Sequence, residues 1–217
     1  MMPYRLIIGD KNLSSWSLRA WLLLAQFELP FEAVTINLDR PDTRDRILAY
    51  SPAGRVPILQ ALAETIWDSL AITEFIAERH PDLPIWPVDA TLRAQARAMA
   101  AEMHAGFANL RDELSFNCQP RVPLPALSAA AKAEVARITD IWREARRSQQ
   151  GNSGYQGAFL FGPFSAADAM FAPVAVRFDR YSVPLDDTCR AYVETLLHLP
   201  AMQAWMADAA AEQPASS

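Results

Sequence analysis

Gly54-Arg55-Val56-Pro57-Ile58-Leu59, followed by Thr65-Ile66-Trp67 and then by Ser69 to His80, is the stretch from which the fold is read. The two apolar runs are short and lie a turn's length apart, which predicts a pair of strands in a hairpin. Ser69 to His80 has helical spacing and is halted at Pro81, because proline lacks the N–H that would continue a helix. Upstream, Tyr4 to Ile8 reads as a short buried strand. A helix pattern begins near Ser15, runs through Leu18, Trp21, Leu22 and Ala25, and is ended by Pro30. Glu32 to Asn37 alternates, with Val34 and Ile36 on one face, as a strand would. A short helical stretch surrounds Ile47.

The resulting order, β-α-β-α-β-β-α over residues 1–80, is that of a thioredoxin-like domain, a small mixed sheet with helices on its faces. Pro81-Asp82-Leu83-Pro84-Ile85-Trp86-Pro87 has three prolines in seven positions and cannot be a helix interior, so a linker is placed at 81–89. Beyond it, Ala-rich stretches at about 90–114, 128–147, 165–181, 186–197 and 201–211 show helical periodicity. The second domain, 90–217, is therefore expected to be an all-helical bundle. Gly151 to Gly157 lacks the strand before it and the Lys-Ser/Thr after it that a phosphate loop needs, and reads as a helix-to-helix loop.

Composition narrows the function. Of 217 residues about half are apolar and the net charge is only −5, which suits packed cores. No stretch concentrates Lys and Arg with aromatics, so nucleic acid is not an expected partner. No run reaches the roughly 18 apolar residues of a membrane span, nor does the first segment resemble an export signal, so a cytoplasmic protein without a membrane partner is expected. Cys118 and Cys189 have neither metal-ligand nor redox-pair spacing. His80, His104 and His198 form no metal pair, and no Gly-x-Ser-x-Gly elbow occurs, so no metal is expected.

Three short segments can carry chemistry. Leu13-Ser14-Ser15-Trp16-Ser17-Leu18-Arg19 lies at a strand-to-helix turn, where free N–H groups and the helix dipole favour an anion. A serine hydroxyl there can donate to a thiolate and lower the thiol's pKa, or simply cap the helix. At Val56-Pro57 the peptide is either an ordinary trans edge bond or a cis one that turns the N–H and C=O of Val56 outward, toward an extended peptide. Asp68 and Ser69 open a helix. They can cap it, or hold an α-carboxylate on the free amides and hydroxyl and an ammonium on the Asp68 charge.

A serine turn, then Val-Pro before a strand, then an acidic residue and Ser at a helix start: in this order the segments resemble the glutathione transferase superfamily over nearly the whole chain. Ser-Ser-x-Ser-x-Arg at 14–19 is most similar to the zeta class, which includes maleylacetoacetate isomerases. Phe164-Ser165-Ala166-Ala167-Asp168 matches the superfamily's capping motif at a buried central helix, a structural role.

Carried over, the resemblance implies glutathione as co-substrate, with Ser14 as donor to its sulfur and Ser15 as the alternative donor. It implies that Val56, beside Pro57, pairs with the cysteinyl backbone, that Asp68 and Ser69 hold the γ-glutamyl end, and that Arg55 meets a carboxylate. It also implies a second-substrate pocket built largely by the helical domain, with Trp16, Arg177 and Arg180 as substrate-binding candidates, and a homodimer. Zeta enzymes commonly carry Cys where this chain has Trp16, which counts against isomerisation. The expected function is a glutathione transferase acting on a small electrophile. The alternatives are a maleylacetoacetate isomerase-like enzyme and a noncatalytic dimeric binding module of the same fold.

Overall fold

The computed structural model describes residues 4–118, 121–149 and 156–212, which form two compact units, 1–83 with 200–217 and 84–199. In the first unit β1 (Tyr4–Gly9), α1 (Ser15–Gln26), β2 (Phe31–Ile36), α2 (Thr43–Leu48), β3 (Ile58–Ala61), β4 (Glu64–Trp67) and α3 (Ser69–Arg79) follow in that order. The sheet order is β2-β1-β3-β4, with β1 and β2 parallel and β3 antiparallel to both β1 and β4. A parallel pair needs a crossover, which α1 supplies, whereas the antiparallel β3-β4 pair needs only the turn at 62–63.

Periodicity explains the layers. Leu6, Ile7 and Ile8 of β1 are all fully buried, as befits a central strand covered on both faces. On one face Ile7, Ile36, Ile47 and Ile58 form a cluster closed by Val34, Leu38, Tyr50 and Val56. The alternation that put Val34 and Ile36 together thus faces α2.

The same unit includes α9 (Pro200–Ala211), whereas the sequence analysis assigned it to the helical domain along with everything from 90 to 217. Its buried Met202, Trp205 and Ala209 give the reason, since the helix packs on α1 with the Trp205 and Trp21 ring centroids 5.3 Å apart. Helical spacing shows that a face is apolar but not which partner it meets.

The second unit contains α4 (Ala90–Ala105), α5 (Ala108–Glu113), α6 (Ala129–Ser148), α7 (Ala166–Arg180) and α8 (Asp187–Leu197). The single helix expected at 90–114 is broken, because Gly106 is extended and Phe107 left-handed, with φ 63°. At the centre Trp142 is wholly buried against Phe171, Phe178 and Tyr192. The Ser165/Asp168 capping box opens α7 as expected. Asp168 is fully buried and accepts from Leu160 N–H, Ser165 N–H and the Tyr192 hydroxyl at 2.9–3.1 Å. Burial nevertheless pushes its pKa up to about 6. Cys118 and Cys189 are buried and joined in no disulfide, and burial raises the Cys189 thiol to about 12. The loop expected at 151–157 lies mostly outside the described residues.

Candidate glutathione site

A cleft of about 580 Å³ opens on the first unit, walled by Trp16, Ala53, Arg55, Val56, Pro57, Trp67, Asp68 and Ser69. Five of these are sequence-derived contacts for the peptide: Arg55, Val56, Pro57, Asp68 and Ser69. They lie up to fourteen positions apart in sequence (69 − 55 = 14), and the β3-β4 hairpin brings its two ends together.

The Val56–Pro57 peptide is cis. Val56 precedes β3, and its N–H and C=O have no hydrogen-bond partner among the described residues. Arg55 is exposed beside it.

Asp68 has φ 78°, in the left-handed half of the backbone map, which a non-glycine residue adopts at a cost. Its carboxylate compensates by capping α3, accepting from Leu70 N–H at 2.8 Å and Ala71 N–H at 3.4 Å. Capping is thus realised at Asp68. Ser69, by contrast, is fully buried and its Oγ has no hydrogen-bond partner among the described residues. A buried hydroxyl left unpaired costs stability, so its place in the wall of a cleft points to a ligand.

The serine turn is more constrained than its sequence suggests. Ser14 is the N-cap of α1 and accepts from Ser17 N–H at 3.3 Å, while Ser14 Oγ and Ser17 Oγ are 2.7 Å apart. Ser17 Oγ also receives Gly9 N–H at 3.0 Å. Gly9 has to be small here, because a Cβ would stand 2.7 Å from Leu38 Cδ1 and 3.0 Å from Ser14 Cβ. Ser15 is buried without a hydroxyl partner among the described residues. Neither Ser14 nor Ser15 contributes to the cleft wall, whereas Trp16 does. The Arg19 guanidinium, itself buried, lies over the Trp16 ring, 4.2 Å from its centroid, a cation–π contact.

In the second unit the two arginine candidates part. Arg177 is 5% exposed, donates through Nε to Leu114 O at 2.7 Å and stands over the Phe116 ring. Burial, and then the neighbouring Arg111 charge, pull its pKa down to about 10. Its donors are directed at backbone, not at a surface partner. Arg180, half-buried, keeps a buried Nε without a partner among the described residues.

The sequence reading missed Trp67 and Ala53 as wall residues. Trp67 is 48% exposed at the end of β4, and its sequence signal, a strand-end aromatic, is indistinguishable from a core one. Among the described residues no helix is long and apolar enough to cross a membrane, and no group of three His, Cys, Asp or Glu side chains is placed to hold a metal.

Known proteins resemble the chain in its first unit and in its fold. Residues 13–79 match the family model of the glutathione S-transferase N-terminal domain. A probable maleylacetoacetate isomerase of Caenorhabditis elegans is 33% identical over 99 residues, 46% of each chain. The maleylacetoacetate isomerase of Pseudomonas aeruginosa is 36% identical over 92 residues, 41% of this chain and 43% of that one. These matches span less than half the length of either relative. A Burkholderia glutathione transferase homolog solved with bound glutathione superposes with a TM-score of 0.71 over 98% of this chain and all of that one, at 22% identity. The chain is thus similar to glutathione transferases in its N-terminal domain and in its fold, and over less than half its length to maleylacetoacetate isomerases of the zeta class.

Proposed function

We propose that the protein is a glutathione transferase that binds glutathione in the Val56/Asp68/Ser69 cleft and activates its thiol with a serine hydroxyl for attack on a small electrophile. The observation that carries this is the unpaired buried hydroxyl of Ser69 at the start of α3, in the same wall as the unpaired backbone of Val56. The α-carboxylate of the γ-glutamyl end takes the Ser69 hydroxyl, and Asp68 faces the ammonium. Val56 pairs with the cysteinyl backbone by strand addition. Arg55 meets a peptide carboxylate.

Ser14 is the donor to sulfur in this reading. A contact between two hydroxyls can run either way. In the structure Ser14 Oγ–H donates to the fully buried Ser17 Oγ, which also receives the Gly9 N–H. Reversal of this contact on binding, with Ser17 donating to Ser14 Oγ, turns the Ser14 proton to the thiolate. Holding a thiolate rather than a thiol lowers the sulfur pKa from its usual value of about 8.5. No proton then has to leave during attack.

A second reading, glutathione-dependent isomerisation of an unsaturated acid, draws support from the names of the two relatives above, while Trp16 in place of the zeta cysteine counts against it. Arg180, with its unpaired Nε, is the better of the two arginines for the carboxylate of such a substrate. Assaying glutathione conjugation of an aromatic halide beside isomerisation of maleylacetone separates the two. Conjugation alone supports the transferase, isomerisation alone the second reading. Failure to bind glutathione supports a noncatalytic module. A homodimer and a cytoplasmic location accompany the proposal on the strength of the family resemblance.

A further inference from the structure

The turn that carries Ser14 is held by the far end of the chain. Glu212, just past α9, accepts Lys11 N–H on Oε1 at 2.7 Å and Asn12 N–H on Oε2 at 2.9 Å. One carboxylate thus takes two consecutive backbone donors of the β1-α1 turn, about 200 positions away in sequence. Trp205 Nε1–H donates to the carbonyl of Lys11 at 3.0 Å, and the Lys11 ammonium lies over the Trp21 and Trp205 rings, 4.8 and 5.4 Å from their centroids, while pairing with Asp208. On the other side of the turn Asp10 accepts from Asn37, and its carbonyl accepts Leu13 N–H and Ser14 N–H at 3.1 and 2.8 Å. Every residue from Asp10 to Ser14 therefore has a fixed backbone bond, and the Lys11-Asn12 pair owes its own to α9 and Glu212.

We propose that Glu212 is a positioning residue for thiol activation, fixing through Lys11 and Asn12 the turn that presents Ser14 and the first amides of α1. The proposal rests on the glutathione reading above. A serine donor acts on sulfur only within hydrogen-bond reach, so slack in the turn weakens the charge-assisted bond to the thiolate more than it weakens contacts made by Val56 and Ser69, which other elements hold. The signature is a thiol that titrates higher while the rest of the peptide binds as before.

The test uses the full chain with Glu212→Ala and Glu212→Gln. The pH midpoint of thiolate absorbance is followed for bound glutathione, and S-methylglutathione, which has no ionisable thiol, is titrated calorimetrically. The expected result for Glu212→Ala is a midpoint raised by about one pH unit, a tenfold loss of thiolate at a given pH, with S-methylglutathione affinity changed less than threefold. Glu212→Gln, which keeps one accepting oxygen, falls between. An unmoved midpoint with a lowered melting temperature would assign Glu212 a structural role only and overturn the proposal. Absence of glutathione binding by the unsubstituted protein would instead sink the glutathione reading, and the positioning role with it.

Discussion

Tyr192 donates its hydroxyl to Asp168 Oδ1 at 3.1 Å, so the carboxylate that opens α7 is also tied to α8. All its neighbours are donors, yet burial outweighs them and raises the carboxyl to about 6 from an ordinary 3.8. A raised folded-state pKa means that the folded protein binds the proton more tightly than the unfolded chain. The associated stability is fully present below about pH 4 and is lost as pH rises through 6, on the order of 3 kcal/mol in all. Asp168→Asn removes this titration and also points an amide NH₂ at donors. Its destabilisation in urea titrations is therefore expected to be larger at pH 4 than at pH 7.

Ser69→Ala removes a hydroxyl that has no partner within the described protein. Stability in denaturant is expected to rise, by roughly 1 kcal/mol, while glutathione affinity falls roughly tenfold, about 1.4 kcal/mol. Calorimetry with the free peptide checks the second and urea unfolding the first.

Arg177 and Arg180 are expected to separate cleanly. Arg177→Met strips the Leu114 carbonyl of its buried donor and is expected to cost roughly 2 kcal/mol of stability, with little change in KM. Arg180→Ala is expected to leave the melting temperature nearly unchanged and to raise KM for an acidic electrophile. Melting curves alongside steady-state kinetics on a carboxylate-bearing substrate make the comparison.

Much of this was readable from residue order. Pro30 and Pro81 bounded α1 and α3, the alternation around Val34 and Ile36 marked β2, and Ser165 with Asp168 marked the start of α7. What escaped the reading depends on partners remote in sequence. The periodicity of 201–211 announces a helix, but only the meeting of Trp205 with Trp21 makes it part of the first unit. The break at Gly106-Phe107 was hidden in an Ala-rich run because one glycine is tolerated within a helix at about 1 kcal/mol. Val56, Asp68 and Ser69 were legible as candidates because Val56 with Pro57 precedes a strand and Asp68-Ser69 opens a helix, and these positions line one cleft. The commitment of Ser14 to Ser17, and of Arg177 to Leu114, was not, since hydrogen-bond partners are fixed by packing rather than by spacing.

The central claim is that the cleft binds glutathione and that Ser14 activates its thiol. Titration calorimetry of glutathione into the parent protein and Ser14→Ala, with ultraviolet absorbance of the bound thiolate recorded on the same samples, tests it most directly. The account expects both proteins to bind and the thiolate band to appear near neutral pH only in the parent. The substitution also removes the N-cap of α1, about 1 kcal/mol of stability, a cost that leaves binding measurable. A thiolate band retained in Ser14→Ala would move the donor role to Ser15. No binding by the parent would contradict the claim outright.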